Sequence, residues 1–147
     1  MNQSVQMSEK PQEIERVFES DPDQCAEIVR ELMSVLTAAG WSKDDRFAIR
    51  MAIEEAVMNA IKHGNAEDRN KKVEVKIRID ADRFYATVSD EGVGFSPEEV
   101  PDPTNKANLE KSSGRGVKLM KTFVDECRYN EAGNSVELIK RRSQSSN

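Results

Sequence analysis

The stretch VEVKIRIDADRFYATVSDEGVGF, residues 73–95, decides the fold. Val73, Val75, Ile77 and Ile79 alternate strictly with charged residues, and Phe84, Ala86 and Val88 alternate with polar ones. A period of two puts one set of side chains on one face of a strand, so each run reads as a half-buried strand. Asp80-Ala81-Asp82-Arg83 between them has turn composition. The pattern therefore predicts an antiparallel hairpin with one face in a core and the other in water.

On the N-terminal side, Glu13 to Phe18 reads as an early edge strand. Asp21-Pro22-Asp23-Gln24 is a helix start, with Asp21 as cap and Pro22 in the first turn. Cys25, Ile28, Val29, Leu32, Val35, Leu36 and Ala39 keep helical spacing until Gly40 ends the run. Ser42 to Asp45 reads as a second capping box, opening a helix that should run to about His63 before Gly64. On the C-terminal side, Ser96 to Ser113 is loop-like, and a helix is expected after Gly116. Two short strands, Glu126–Tyr129 and Ser135–Lys140, should close around an Asn130–Asn134 turn. Strands and helices come in separate blocks, which favours an α+β fold. The expected architecture is a two-layer sandwich, a mixed and mostly antiparallel sheet with helices on one face. Residues 1–12 and 142–147 read as polar tails around one domain, 13–141.

Composition narrows the function classes. Lys+Arg number 22 and Asp+Glu 27, a net charge of −5, which lacks the basic footprint of non-specific nucleic-acid binding. No apolar run approaches the ~20 residues of a membrane-spanning helix. Met1 to Gln12 shows no apolar signal region, and Cys25 and Cys127 form neither a disulfide framework nor a zinc motif. A reduced, cytoplasmic setting is the expectation.

Three polar features break the apolar pattern. On the second helix, Ile49, Ile53, Ala56, Val57 and Ala60 form the core stripe, with Glu55, Asn59 and His63 stacked along one flank. Glu54 points about 100° away from Glu55, toward the other flank. A carboxylate and a carboxamide one turn apart can hold a hydrated cation and a water; Mg²⁺ favours such oxygen ligands and completes its shell with phosphates. Taken alone, the pair reads as a solvated helix flank, since helices are full of such pairs. Asp90 shares the parity of Phe84, Ala86 and Val88, so it projects toward the buried face, and Gly92 and Gly94 follow it. Such glycines admit close approach of backbone to a flat ligand, although an Asp capping a tight turn has the same appearance. Ser113-Gly114-Arg115-Gly116 runs into a helix, where free N–H groups and the helix dipole favour phosphate. Lys111, Arg115 and Lys118 add positive charge there, while a plain glycine turn is the alternative.

Order and spacing bind these features together. Residues 52–64 (AIEEAVMNAIKHG) resemble the N-box of the gyrase, histidine-kinase and heat-shock-chaperone ATP-binding superfamily. Residues 90–95 (DEGVGF) resemble its first glycine box and 114–120 (GRGVKLM) its second. The phrases E-A-V-x-N-A-x-x-H-G, D-E-G-x-G-F, P-D-P and S-G-R-G-x-x-L-M recur in order. They are similar to those of the stand-alone anti-sigma-factor serine/threonine kinases of bacterial sporulation and stress-response switches. The resemblance spans about Glu13 to Arg141 and implies the Bergerat ATP-binding fold.

It implies a role for each matching residue. Asp90 would accept from the adenine amino group, Asn59 would ligate Mg²⁺ at the phosphates, and Glu55 would be the general base for the attacking hydroxyl. Gly92 and Gly94 would shape the adenine pocket. Residues 96–113 would form the ATP lid, with Lys111, Gly114, Arg115 and Gly116 at the phosphates. Ser135 stands where relatives often carry a Thr supporting an adenine-bound water. Met58 replaces a small polar residue common in relatives, and His63 reads as a structural or pocket-edge residue. The chain is too short to add the dimerising helix pair of a sensor histidine kinase. The implied function is an ATP- and Mg²⁺-dependent protein serine/threonine kinase acting as an anti-sigma factor. It would sequester a sigma factor and phosphorylate an anti-anti-sigma (STAS-type) protein. A homodimer through an exposed apolar set around the first helix is a further implication; direct nucleic-acid or membrane binding is not. Two alternatives stay open: a nucleotide-responsive partner-binding module without significant kinase activity, and an interaction domain independent of nucleotide.

Overall fold

In the computed structural model the seven alternating apolar residues of the hairpin are at most 2% exposed, as the period-two pattern requires. The structure describes residues 11–65, 70–92 and 120–143. Strand β1 is Gln12–Glu19, followed by helix α1 (Pro22–Ala38), helix α2 (Lys43–Asn59) and a π-helical turn, Ala60–Gly64. Strands β2 (Lys72–Ile79), β3 (Arg83–Asp90), β4 (Glu126–Tyr129) and β5 (Ser135–Arg141) complete one five-stranded sheet in the order β1-β2-β3-β5-β4. Every strand pair among the described residues is antiparallel. Residues 120–123 are helical, and the start of the helix expected after Gly116 lies outside the described residues.

The two faces of the sheet differ as the alternation demands. Ile14, Phe18, Val73, Val75, Phe84, Ala86, Val136 and Leu138 line one face. They join Ile28, Leu32, Leu36, Ile49, Ile53 and Val57 of the helices in a single core. The other face is polar. There Glu13, Glu15 and Glu19 stand directly opposite Arg78, Lys76 and Lys72, so charge pairing supports the register that burial selects.

Local chemistry sets the helix ends. Asp21 Oδ1 accepts from the Asp23 N–H at 3.0 Å, and Pro22 fills the first helical position. At the other end Gly40 adopts φ +83°. Its N–H donates to Thr37 O and that of Trp41 to Leu36 O, each at 3.0 Å, the Schellman arrangement. Trp41 and Leu36 are both buried, which supplies the apolar contact this motif favours.

Four expectations need correction. Ser42 Oγ accepts from the Asp45 N–H at 3.1 Å, but the Asp45 carboxylate does not return to Ser42. It takes hydrogen bonds from Ser143 N–H (2.8 Å) and Ser143 Oγ (2.5 Å), with Lys140 Nζ 3.5 Å away. Arg142 donates to Gly40 O (2.6 Å) and Ala81 O (3.1 Å) and lies 5.4 Å from the Trp41 ring centroid. Residues 142 and 143, tail-like in composition, are thus bound into the fold. The α-helix expected to reach His63 stops at Asn59 and passes into the π-helical turn. Finally, the apolar residues of α1 face the core, because the helix packs on both α2 and β1. The exposed large hydrophobics among the described residues are Val17 and Phe47, so the expected apolar face around α1 is not formed.

Candidate functional site

Asn59 is the last α-helical residue of α2 and is 8% exposed. Its flank position beside the Ala56–Val57–Ala60 stripe turns it toward the sheet. Its Nδ2 has no hydrogen-bond partner among the described residues, although the amide lies close enough to the Tyr129 hydroxyl to lower that phenol's pKa. Glu55, one turn earlier, is half-buried on the same flank. Glu54 is on the other flank, paired with Arg50 at 3.4 Å and close enough to Cys25 to help raise its pKa. The 100° step between adjacent helical residues thus separates the two carboxylates as expected.

Asp90 ends β3 on the helix-facing side. Burial pushes its carboxyl above the ordinary carboxylate range, against the Gly92 N–H and the Lys71 ammonium. Its Oδ1 accepts from Gly92 N–H at 2.8 Å, so it also caps the turn that follows. The Asp90 N–H donates to Asn134 O at 2.8 Å. Glu91 N–H donates to Asn65 Oδ1 at 2.9 Å, and Glu91 Oε1 accepts from Lys72 N–H at 2.8 Å. The Asp of D-x-G thus caps a tight turn, and its carboxyl is half-buried.

Tyr129 joins the two elements. Burial foremost, then the Cys127, Asp90 and Glu55 charges, push its phenol up to about 12, while the Asn59 amide opposes them. Its hydroxyl, protonated at neutral pH as any phenol is, lies near enough to Asn59, Asp90 and Glu55 to be influenced by all three. Sequence reasoning missed Tyr129, although it has the parity of buried Cys127 on β4.

The structure does not bring Ser135 to these residues. Val136 and Leu138 face the helices, so Ser135 faces the opposite side, where its hydroxyl hydrogen-bonds Ser89 Oγ at 2.7 Å. The residue with the right parity is Asn134, whose Nδ2 donates to Gly92 O at 3.4 Å. Asn65 was also missed: it is 0% exposed and follows the helix-ending glycine. Gly94, Lys111, Gly114, Arg115, Gly116 and the 96–113 loop lie outside the described residues.

The donor set suits a nucleotide with Mg²⁺. No group of three or more His, Cys, Asp or Glu that could hold a metal ion occurs among the described residues. Mg²⁺ accepts few protein ligands when phosphates and water complete its shell. The buried Nδ2 of Asn59 is a donor and could serve a phosphate oxygen, which leaves its Oδ1 as the atom able to face a cation.

Comparison with known proteins agrees. Residues 18–140 match the histidine kinase-like ATPase domain family. The chain is 28% identical over 134 residues to the serine-protein kinase RsbW of Bacillus subtilis, covering 86% of this chain and 84% of that one. It is 35% identical over 108 residues to the anti-sigma F factor of Bacillus velezensis, covering 69% and 73%. In fold it resembles the crystal structure of the RsbU and RsbW domains of a Mycobacterium tuberculosis protein. That match has a TM-score of 0.62 at 18% identity, over 89% of this chain and 32% of that longer one. The chain belongs to the histidine kinase-like ATPase family, in its anti-sigma-factor kinase branch.

Proposed function

We propose that this protein is an ATP- and Mg²⁺-dependent protein serine/threonine kinase acting as an anti-sigma factor. The grouping of Asn59, Asp90 and Glu55 around the buried Tyr129 phenol carries the reading. Asp90 is a half-buried acceptor suited to an adenine amino group, and Asn59 and Glu55 are one helical turn apart beside it. Bound MgATP supplies the phosphoryl group and, through the metal, neutralises charge on it. Asn59 Oδ1 would be the protein group that holds that metal. Glu55 accepts the proton of the attacking serine or threonine hydroxyl, the general-base role. Tyr129, a neutral phenol made still less acidic by burial, would hydrogen-bond within the site without adding charge. Phosphoryl transfer depends mainly on positioning and charge neutralisation, so this short list of groups is chemically sufficient.

The relatives named as a serine-protein kinase and anti-sigma F factors support the partner assignment. The protein would sequester a sigma factor and phosphorylate an anti-anti-sigma protein of STAS type. No helix of the described residues is long and apolar enough to cross a membrane. Such a kinase works in the cytoplasm, beside the transcription machinery it regulates. Residues 13–141 would form the ATP-binding kinase domain, with 142 and 143 bound to it. Gly92, Gly94, Lys111, Gly114, Arg115 and Gly116 would complete the nucleotide contacts.

The test is transfer from γ-labelled ATP with Mg²⁺ to soluble extract of the protein's own cells, with Glu55→Ala alongside. Label on a small acidic protein with the wild type alone supports the kinase and identifies its substrate. ATP binding by calorimetry without any label would instead favour the nucleotide-responsive module.

A further inference from the structure

Asn65 uses its whole side-chain amide. Its Nδ2 donates to Ser20 Oγ at 2.9 Å and to Lys72 O at 3.0 Å, and its Oδ1 accepts from Glu91 N–H at 2.9 Å. Its own N–H donates to Ala60 O at 2.8 Å, one residue beyond Asn59. The residue is 0% exposed. The side chain thus fastens together the β1–α1 junction, the start of β2 and the turn after Asp90, and the backbone N–H of the same residue ties them to the end of the Asn59 helix. The bond to Glu91 is the one that reaches the candidate site. Glu91 lies between Asp90 and Gly92, and those two are already joined by the carboxylate–amide bond at 2.8 Å. Fixing the Glu91 N–H therefore fixes the height of the Asp90 carboxylate relative to Asn59.

We infer that Asn65 is a positioning residue that sets base discrimination, by holding the Asp90–Gly92 turn at a fixed place against the α2 terminus. The inference rests on the nucleotide reading of the site. An acceptor discriminates an amino group from a carbonyl only while it stays at hydrogen-bond distance, so loosening the turn weakens the preference for adenine over guanine. A residue that merely stabilises the fold lowers stability without altering that preference.

The test is calorimetric titration of the full chain with MgATP and with MgGTP, in wild type and variants, with unfolding measured in parallel. Asn65→Ala should weaken MgATP by about tenfold and MgGTP much less, the scale of one charge-linked hydrogen bond mispositioned. Asn65→Ser, whose shorter side chain does not reach Glu91, should do the same and stands in if the alanine variant does not fold. Asn65→Asp keeps an acceptor for the Glu91 N–H while losing the paired donors. It should be less stable yet retain the wild-type ATP/GTP ratio. Ser20→Ala, which removes the far partner of the Asn65 amide, should behave like Asn65→Asp. A folded Asn65→Ala or Asn65→Ser with an unchanged ratio overturns the inference and leaves the nucleotide reading intact. So does an Asn65→Asp ratio as low as that of Asn65→Ala. A wild type that binds both nucleotides equally overturns the inference alone, and one that binds neither overturns the nucleotide reading and the inference with it.

Discussion

Asp90 shows how a residue suited to binding is unfavourable for folding. Burial raises its pKa, so the folded, nucleotide-free protein disfavours the ionised form. A carboxyl with a folded pKa above its unfolded value, about 3.9, destabilises the fold progressively as pH rises through the folded pKa. Asp90→Asn should therefore leave stability at neutral pH unchanged or higher, while weakening MgATP by at least about tenfold. Unfolding curves and calorimetry on the same preparation separate the two effects. The same shift predicts that nucleotide affinity falls with acidification at a pH above the ordinary Asp range, which titration across pH 4–7 would show. Glu55→Ala should leave nucleotide affinity within about threefold and reduce transfer by about 10²-fold or more, the usual scale for a general base; transfer retained at the wild-type rate would refute the assignment. Asp90 and Asn59 were legible in the sequence because each broke a strong apolar period. Tyr129 and Asn65 broke none. A tyrosine on a short strand and an asparagine after a glycine are ordinary, and their roles come from what the fold places opposite them.

At the scale of elements, termini decide more than interiors. The Gly40 corner turns the chain from α1 into α2 and seats Trp41 in the core. Its φ of +83° disfavours any side chain, and a Cβ there would meet Arg142 Nη2 at 3.2 Å. Gly40→Ala should cost about 1 kcal/mol, read from chemical unfolding, with little change at the distant nucleotide site. Both helix starts and the β2–β3 turn were legible, since Asp21, Pro22, Ser42 and residues 80–83 act locally. The π-helical turn after Asn59 was not. AIKHG carries no signal against an α-helix, and the turn is tied down by the Asn65 bonds to Ala60, Lys72 and Glu91. Its position matters because π-turns inside helices often mark functional sites.

Across the whole molecule, the far end of the sheet is closed by a small polar cluster. Asp45 is buried, and burial pushes its carboxyl up, but the Ser143 hydroxyl and amide and the Lys140 ammonium outweigh that and lower its pKa. A folded pKa below the unfolded value means stability that is full above about pH 4 and lost as pH falls through the folded pKa. The stability gap between wild type and Asp45→Asn should therefore narrow from pH 7 to pH 3. Truncation after residue 141 removes Arg142 and Ser143, leaves Asp45 short of donors, and should cost about 3 kcal/mol in denaturant unfolding. A truncated protein as stable as the full chain would return 142 and 143 to the status of a tail. The sequence alone determined the hairpin, both helix starts and the Gly40 stop, the single buried face of the sheet and the order of the three motifs. Those follow from periods of 2 and 3.6 and from capping, which act within a few residues. Tertiary structure alone decided that Ser143 meets Asp45, that Asn134 and not Ser135 lies beside Gly92, and that Asn65 ties the Asp90 turn to the helix. Such contacts join residues 26 to 98 positions apart. Which pairs meet over those separations is set by how sheet and helices pack, and no local pattern encodes it.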